Sequence, residues 1–149
     1  MELYIVVGGS NTRKSSLIRA LTGVGKMKNH QPYIIFQQSF PNPPNPCKIK
    51  TILIFVNALQ ENNISPQDFI KILQGHKDID KVLFALRINN RKYDDTNANK
   101  YIDSLNQNNF KIDGIAILGN CNDVNIKYFQ DLTQNFYHHP NSTNTPTNE

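Results

Sequence analysis

Residues 3–21 read LYIVVGGSNTRKSSLIRAL, and the order of residue types in this stretch decides how the rest of the chain can be arranged. Leu3-Tyr4-Ile5-Val6-Val7 is a continuous apolar run rich in β-branched side chains, the pattern of a central parallel strand covered on both faces. Gly8 and Gly9 break the run and a polar loop follows. Leu17, Ile18 and Leu21 then recur at helical spacing, with Arg19 pointing away. Thr22-Gly23 supplies a natural stop. A strand, a glycine-led turn and a helix starting near Arg13 or Lys14 are the predicted elements.

Such a loop suits a phosphate chain. Gly8 and Gly9 are expected to let the backbone pass close to phosphate oxygens and to adopt dihedrals closed to other residues. Asn11 tolerates a left-handed turn. Lys14 at the helix start would reach the terminal phosphates, the Ser15 hydroxyl would ligate Mg²⁺, and the free N–H groups and helix dipole would hold the anion. The alternative is a plain strand-to-helix turn capped by Ser10 or Thr12, with Arg13 and Lys14 as surface charges.

The spacing resembles the Walker A loop of the P-loop NTPases, G-x-x-x-x-G-K-[ST], with Gly8 first and Lys14-Ser15 last. Arg13 stands where that pattern has its second glycine. The resemblance implies a nucleotide-binding set of Gly8, Gly9, Ser10, Asn11, Thr12, Arg13, Lys14, Ser15 and Ser16, with Mg²⁺ and ATP or GTP as cofactors. It further implies a catalytic role for Lys14. A strained backbone at Arg13 would cost about 1–3 kcal/mol, unless the loop takes another path or the arginine adds charge to the phosphate site.

A chain of 149 residues suits one domain and excludes a catalytic domain plus a separate substrate domain. No apolar run approaches the ~20 residues that cross a bilayer, and no basic segment with a long apolar core opens the chain. A cytoplasmic protein without membrane contact is expected. Cys47 and Cys121 lack metal-site or disulfide spacing. Residues 1–30 carry Arg13, Lys14, Arg19, Lys26 and Lys28 against Glu2, which accounts for the whole net charge of +4. The excess positive charge therefore sits with the glycine loop and suits a polyanion. Lys26 and Lys28 read as a solvated basic face.

Further along, Tyr33–Phe36 begins a second strand, and the proline-rich PNPPNP at 41–46 leaves no room for a crossover helix. The second and third strands are thus expected to be antiparallel neighbours. Lys50–Val56 is the third strand, ending at Asn57. Ser65-Pro66-Gln67-Asp68 opens a helix through Phe69, Ile72 and Leu73 to Gly75. Val82–Leu86 is a fourth strand, residues 95–107 a helix with Ala98, Tyr101, Ile102 and Leu105 on one stripe, and Ile115–Leu118 a fifth strand. A last helix is expected to carry Tyr128, Phe129, Leu132 and Phe136. The segment from His138 onward reads as a disordered tail, so residues 1–137 form the expected domain.

These elements predict an α/β three-layer sandwich with a mostly parallel five-stranded sheet. Ligands of such sheets bind beyond the carboxyl ends of the strands, where the loops after residues 7, 57, 86 and 118 emerge. Other candidates lie on those loops. The P-loop families end a strand in a Mg²⁺-holding aspartate, and here that place holds the neutral Asn57. Glu61 is a nearby substitute for the metal, with Asp94 and Asp95 further acids. Arg87 and Arg91 are spaced like the paired arginines of a kinase lid and would clamp a transferring phosphoryl group. Asn120 and Asp123 have the spacing of the guanine-reading N-K-x-D motif of the GTPases, although Cys121 replaces the lysine. Asp123 also reads as the N-cap of the last helix.

Three functions follow as expectations. One is an Mg²⁺-dependent NTPase or phosphoryl-transfer protein, and a second is a regulatory module that holds nucleotide or phosphate without hydrolysis. The third is a nucleic-acid or phosphopeptide binder that uses the basic N-terminal third, so that a protein partner or nucleic acid joins the nucleoside triphosphate among the expected partners.

Overall fold

The computed structural model describes residues 1–23, 33–38, 49–89 and 96–140. In chain order these form β1 (Glu2–Gly8), α1 (Lys14–Thr22), β2 (Tyr33–Gln38) and β3 (Ile49–Ala58). A short 3-10 turn at Leu59–Asn62 leads to α2 (Pro66–Gly75), β4 (Lys81–Arg87), α3 (Ala98–Gln107), β5 (Ile112–Leu118), α4 (Asp123–Gln130) and β6 (Phe136–His139).

All six strands join one sheet in the order β2-β3-β4-β1-β5-β6. The pairs β3–β4, β4–β1, β1–β5 and β5–β6 are parallel. β2 runs antiparallel to β3, with Tyr33 opposite Ile54 and Gln38 opposite Ile49. β1 is central, and its alternation divides its side chains between two cores, as the pleat requires. Leu3, Ile5 and Val7 join the larger core, shared with Phe69, Ile70 and Leu73 of α2, Tyr101, Ile102 and Leu105 of α3, and Phe129 of α4. Val6 faces the other way, into a smaller core with Ile18 of α1, Ile54, Val56 and Ala85. Helices thus cover both faces of a mostly parallel sheet.

The larger core is anchored by Phe69, whose ring lies 5.4 Å from that of Phe55 and 4.7 Å from that of Phe84. Removing such a ring costs about 3–5 kcal/mol, so Phe69 anchors α2 together with the buried Ile70 and Leu73. Tyr101 is almost wholly buried, and its hydroxyl donates to the Ile64 carbonyl at 2.6 Å. That bond satisfies a polar group whose burial would otherwise be costly.

The sheet has six strands where five were expected, and the difference lies in residues 131–139. Leu132 and Phe136 continue the apolar spacing of Tyr128 and Phe129, which suggested one long helix. The helix instead ends at Gln130. Thr133 Oγ1 and Asn135 Nδ2 both donate to the Asp113 carbonyl, at 3.0 and 2.8 Å, and turn the chain back beside β5. His138 and His139 consequently belong to β6 rather than to a tail. The His138 ring nitrogen Nε2 lies 3.0 Å from the Gly119 carbonyl. Residues 141–149 of the expected tail lie outside the described residues.

α1 lies on one face, whereas the helices that follow the flanking strands β4 and β5 lie on the other. Adjacent parallel strands whose connections leave toward opposite faces open a crevice at their carboxyl ends. The turn between β1 and α1 stands at that switch point. Among the described residues, no helix is long and apolar enough to cross a membrane.

Candidate functional site

The turn after β1 is built by close approach at Gly8. A Cβ added there would lie 2.3 Å from Thr12 Oγ1 and 2.8 Å from the Leu118 carbonyl, so no side chain fits. The left-handed dihedrals fall on Asn11, as its residue type allowed, and on Arg13, but not on the glycines. Neither Gly8 nor Gly9 has a positive φ; Asn11 has φ 59° and Arg13 has φ 64°. Asn11 accepts this conformation readily, whereas for arginine it costs about 1–2 kcal/mol. Arg13, at the position where the Walker A pattern has glycine, therefore carries the strain of a left-handed backbone.

Arg13 is also the N-cap residue of α1, and no side chain caps the helix. The N-cap position is thus Arg13 and not Ser10 or Thr12, and the Thr12 hydroxyl donates to the Gly9 carbonyl at 3.0 Å. The first-turn amides of Lys14, Ser15 and Ser16 have no acceptor within the helix. They are the positive end of its dipole. Ser10, Asn11, Arg13 and Ser16 are exposed around them.

Lys14 is not a surface charge. It is 6% exposed, and its ammonium donates to the Gly9 carbonyl at 2.5 Å. Burial pushes its pKa down to about 8, while the Glu61 carboxylate pulls it up and the Arg87 guanidinium pushes it down. Among the described residues Lys14 forms no ion pair. A cation held this far from water, with a carbonyl as its partner, is a place where an anion is favoured.

Ser15 turns its hydroxyl to Asn57, donating to Oδ1 at 3.2 Å. β3 runs one residue past the expected end, to Ala58, yet Asn57 does arrive at the loop although β4 lies between β3 and β1. The two oxygens are hard donors suited to Mg²⁺, but neither carries charge. No cluster of three or more His, Cys, Asp or Glu side chains able to hold a metal occurs among the described residues. The set therefore fits an Mg²⁺ that arrives with phosphates and does not fit a resident ion.

Glu61 commits its Oε1 to Arg87, at 2.8 Å from Nη2 and 3.3 Å from Nε. Its place as a metal ligand is correspondingly taken by a cation. Arg87 ends β4 in register with Gly8 of β1. It belongs to a strand end, not to a lid. Sequence reading passed over Gln60, which is 9% exposed and fixes this corner. Its amide donates to the carbonyls of Arg87 and Thr96 and accepts from the Arg87 N–H. Its place next to the candidate acid was the signal available in the sequence. Arg91, Asp94 and Asp95, like Lys26 and Lys28, lie outside the described residues.

The loop after β5 is different. Asn120 and Asp123 are both exposed. The N-cap of α4 is Asn122, whose side chain accepts from the Asn125 N–H at 2.8 Å, and Asp123 is the first helical residue. Asp123 is thus not the cap, though its charge still suits the helix start. Cys121 packs, half buried, against the larger core, and burial raises its thiol pKa.

A groove of about 470 Å³ lies away from these groups, on the α1 face, lined by Tyr4, Leu17, Leu21, Leu83, Ala116 and Tyr137 among others. It is largely apolar and contains none of the loop cations. The charged crevice at the carboxyl edge, not this groove, has the chemistry for a phosphate chain. Comparison with protein-family models, with curated proteins and with solved structures finds no match to this chain.

Proposed function

We propose that the chain binds a nucleoside triphosphate, with its phosphates on the turn Gly8–Ser16 and Mg²⁺ carried in by the ligand. The observation that carries this reading is Lys14: a buried ammonium at the start of α1, hydrogen-bonded to the Gly9 carbonyl. Lys14 and the first-turn amides hold the anion, and Arg13 adds an exposed charge at the same helix end. The Ser15 hydroxyl and the Asn57 amide oxygen, 3.2 Å apart, are the groups that would hold the metal carried by the phosphates. Bound Mg²⁺ would neutralise phosphate charge there. The resemblance to the P-loop NTPases agrees with this assignment.

Holding the nucleotide without rapid turnover is the form of this function that the residues favour. The oxygen beside Ser15 belongs to an uncharged amide, and the Glu61 carboxylate is paired with Arg87. Hydrolysis or phosphoryl transfer is the second reading, favoured by Glu61 and Arg87 both acting on Lys14.

A thermal-shift panel of ATP, GTP and their diphosphates, with and without Mg²⁺, tests the binding, because a ligand selective for the native state raises the melting midpoint. Triphosphates with Mg²⁺ should raise it and Mg²⁺ alone should not. No shift at millimolar nucleotide would remove the reading. Product formed within minutes and abolished by Lys14→Ala would favour the second reading over the first.

A further inference from the structure

Arg87 is held at two levels. Its backbone N–H and carbonyl are both bonded to the buried Gln60 amide, at 3.0 Å each, so the strand end cannot drift. Its guanidinium is held by the next residue, Glu61, through two N–H groups on one carboxylate oxygen. A phosphate oxygen would use the same donors, since the guanidinium fork matches carboxylate and phosphate alike. The register of β1 with β4 sets the Arg87 backbone beside Gly8, at the base of the turn, and its charge is felt at Lys14. Both side chains are about one-third exposed, at 31% for Arg87 and 36% for Glu61. Such a pair is weak enough to open.

Resting on the phosphate-binding reading above, we propose that Glu61 is an internal counter-anion that competes with the ligand's phosphates for Arg87. In the ligand-free chain the carboxylate holds the guanidinium, and a polyphosphate must displace it. The site thereby selects anions with enough charge to replace a carboxylate. Glu61 lowers affinity and sharpens selectivity, a role opposite in sign to that of a metal ligand. Its influence on Lys14 acts in the same direction, since a fixed negative charge near the ammonium weakens the pull on an incoming anion.

The test is calorimetric titration with inorganic tripolyphosphate, free of metal and at fixed ionic strength. Wild type, Glu61→Gln, Arg87→Gln, the double variant and Lys14→Ala are compared. Glu61→Gln should tighten binding about fivefold, the scale of an exposed ion pair. In the Arg87→Gln background the same change should have less than half that effect on a logarithmic scale, because the competition needs the guanidinium. This cycle separates displacement from the general loss of one negative charge. Unchanged or weaker binding in Glu61→Gln overturns the proposal, as does an equal gain with Arg87 removed. If Lys14→Ala abolishes binding while Glu61→Gln does nothing, the phosphate-binding reading stands and the competition falls. Absence of binding in every variant overturns the competition, and the phosphate-binding reading falls with it when Mg²⁺-triphosphate also leaves the melting midpoint unmoved.

Discussion

The loops after β1 and β5 leave neighbouring parallel strands at the same edge of the sheet, and each leads into a helix. Each also carries residues that resemble part of a nucleotide site. The first gathers its groups inward: Lys14 reaches back to the Gly9 carbonyl, Thr12 closes on the same atom, and Ser15 meets Asn57 from β3. The second satisfies itself locally. Asn122 caps its own helix, Gly119 turns with φ 83° and bonds the β6 carbonyl of His139, and Asn120 and Asp123 stay exposed. A ligand site needs polar groups that converge and are left short of partners, which spacing in the sequence alone does not guarantee.

The contrast can be broken most severely at Lys14. Lys14→Ala should weaken Mg²⁺-triphosphate binding roughly 100-fold, the scale of truncating one partner of a buried charged contact. Lys14→Met, which keeps the stem, should also abolish tight binding but raise the melting midpoint. It removes a charge whose burial opposes folding, as the lowered pKa records. Titration calorimetry and thermal melts read the two effects separately.

The pH dependence follows from the same group. With a native pKa of about 8, binding that needs the ammonium should weaken about tenfold between pH 7 and pH 9. Stability moves the other way. Between about 8 and the ordinary value of 10.5, the native lysine has lost a proton that the unfolded chain keeps. The contribution of Lys14 to stability therefore rises with pH through that window. Affinity and ligand-free melting measured across the range should diverge in sign.

Arg13→Gly sharpens the comparison more gently. Relief of the left-handed conformation, offset by glycine's greater freedom when unfolded, should stabilise the ligand-free chain by about 0.5–1 kcal/mol. Loss of the guanidinium should weaken triphosphate binding about threefold, as a screened surface charge does. Chemical denaturation and calorimetry check the pair of signs. At the far end, Asn120→Ala and Asp123→Asn should change stability by less than about 0.5 kcal/mol. Neither should alter triphosphate affinity measurably by the same titration.

The strands and helices that were legible in the sequence are those with long apolar signals. Leu3–Val7 read as a central strand because both its faces are covered, and Ser65-Pro66 opened α2 as its side-chain bond to Asp68 requires. β6 was not legible. Four residues, FYHH, have no apolar run, and Leu132 and Phe136 happen to extend the helical spacing of α4 beyond its end. In the candidate site, residue types marked out Lys14, Ser15 and a left-handed turn at Asn11, but not that Gly8 and Gly9 would lack a positive φ. Gly8 is needed instead for its close approach to Thr12 and to the Leu118 carbonyl, the latter a contact between distant parts of the chain. The pairing of Glu61 with Arg87 and the bracing by Gln60 are likewise tertiary, made across 26 and 27 residues.

The most direct measurement is a ¹H–¹⁵N spectrum titrated with a non-hydrolysable triphosphate and Mg²⁺, read amide by amide at these two loops. The largest shifts should fall on Asn11 to Ser16, with Gly119 to Asp123 nearly still, and Lys14→Ala should erase them. Shifts centred on Gly119 to Asp123, or a spectrum unchanged at millimolar ligand, would contradict the assignment of the turn after β1 as the phosphate site.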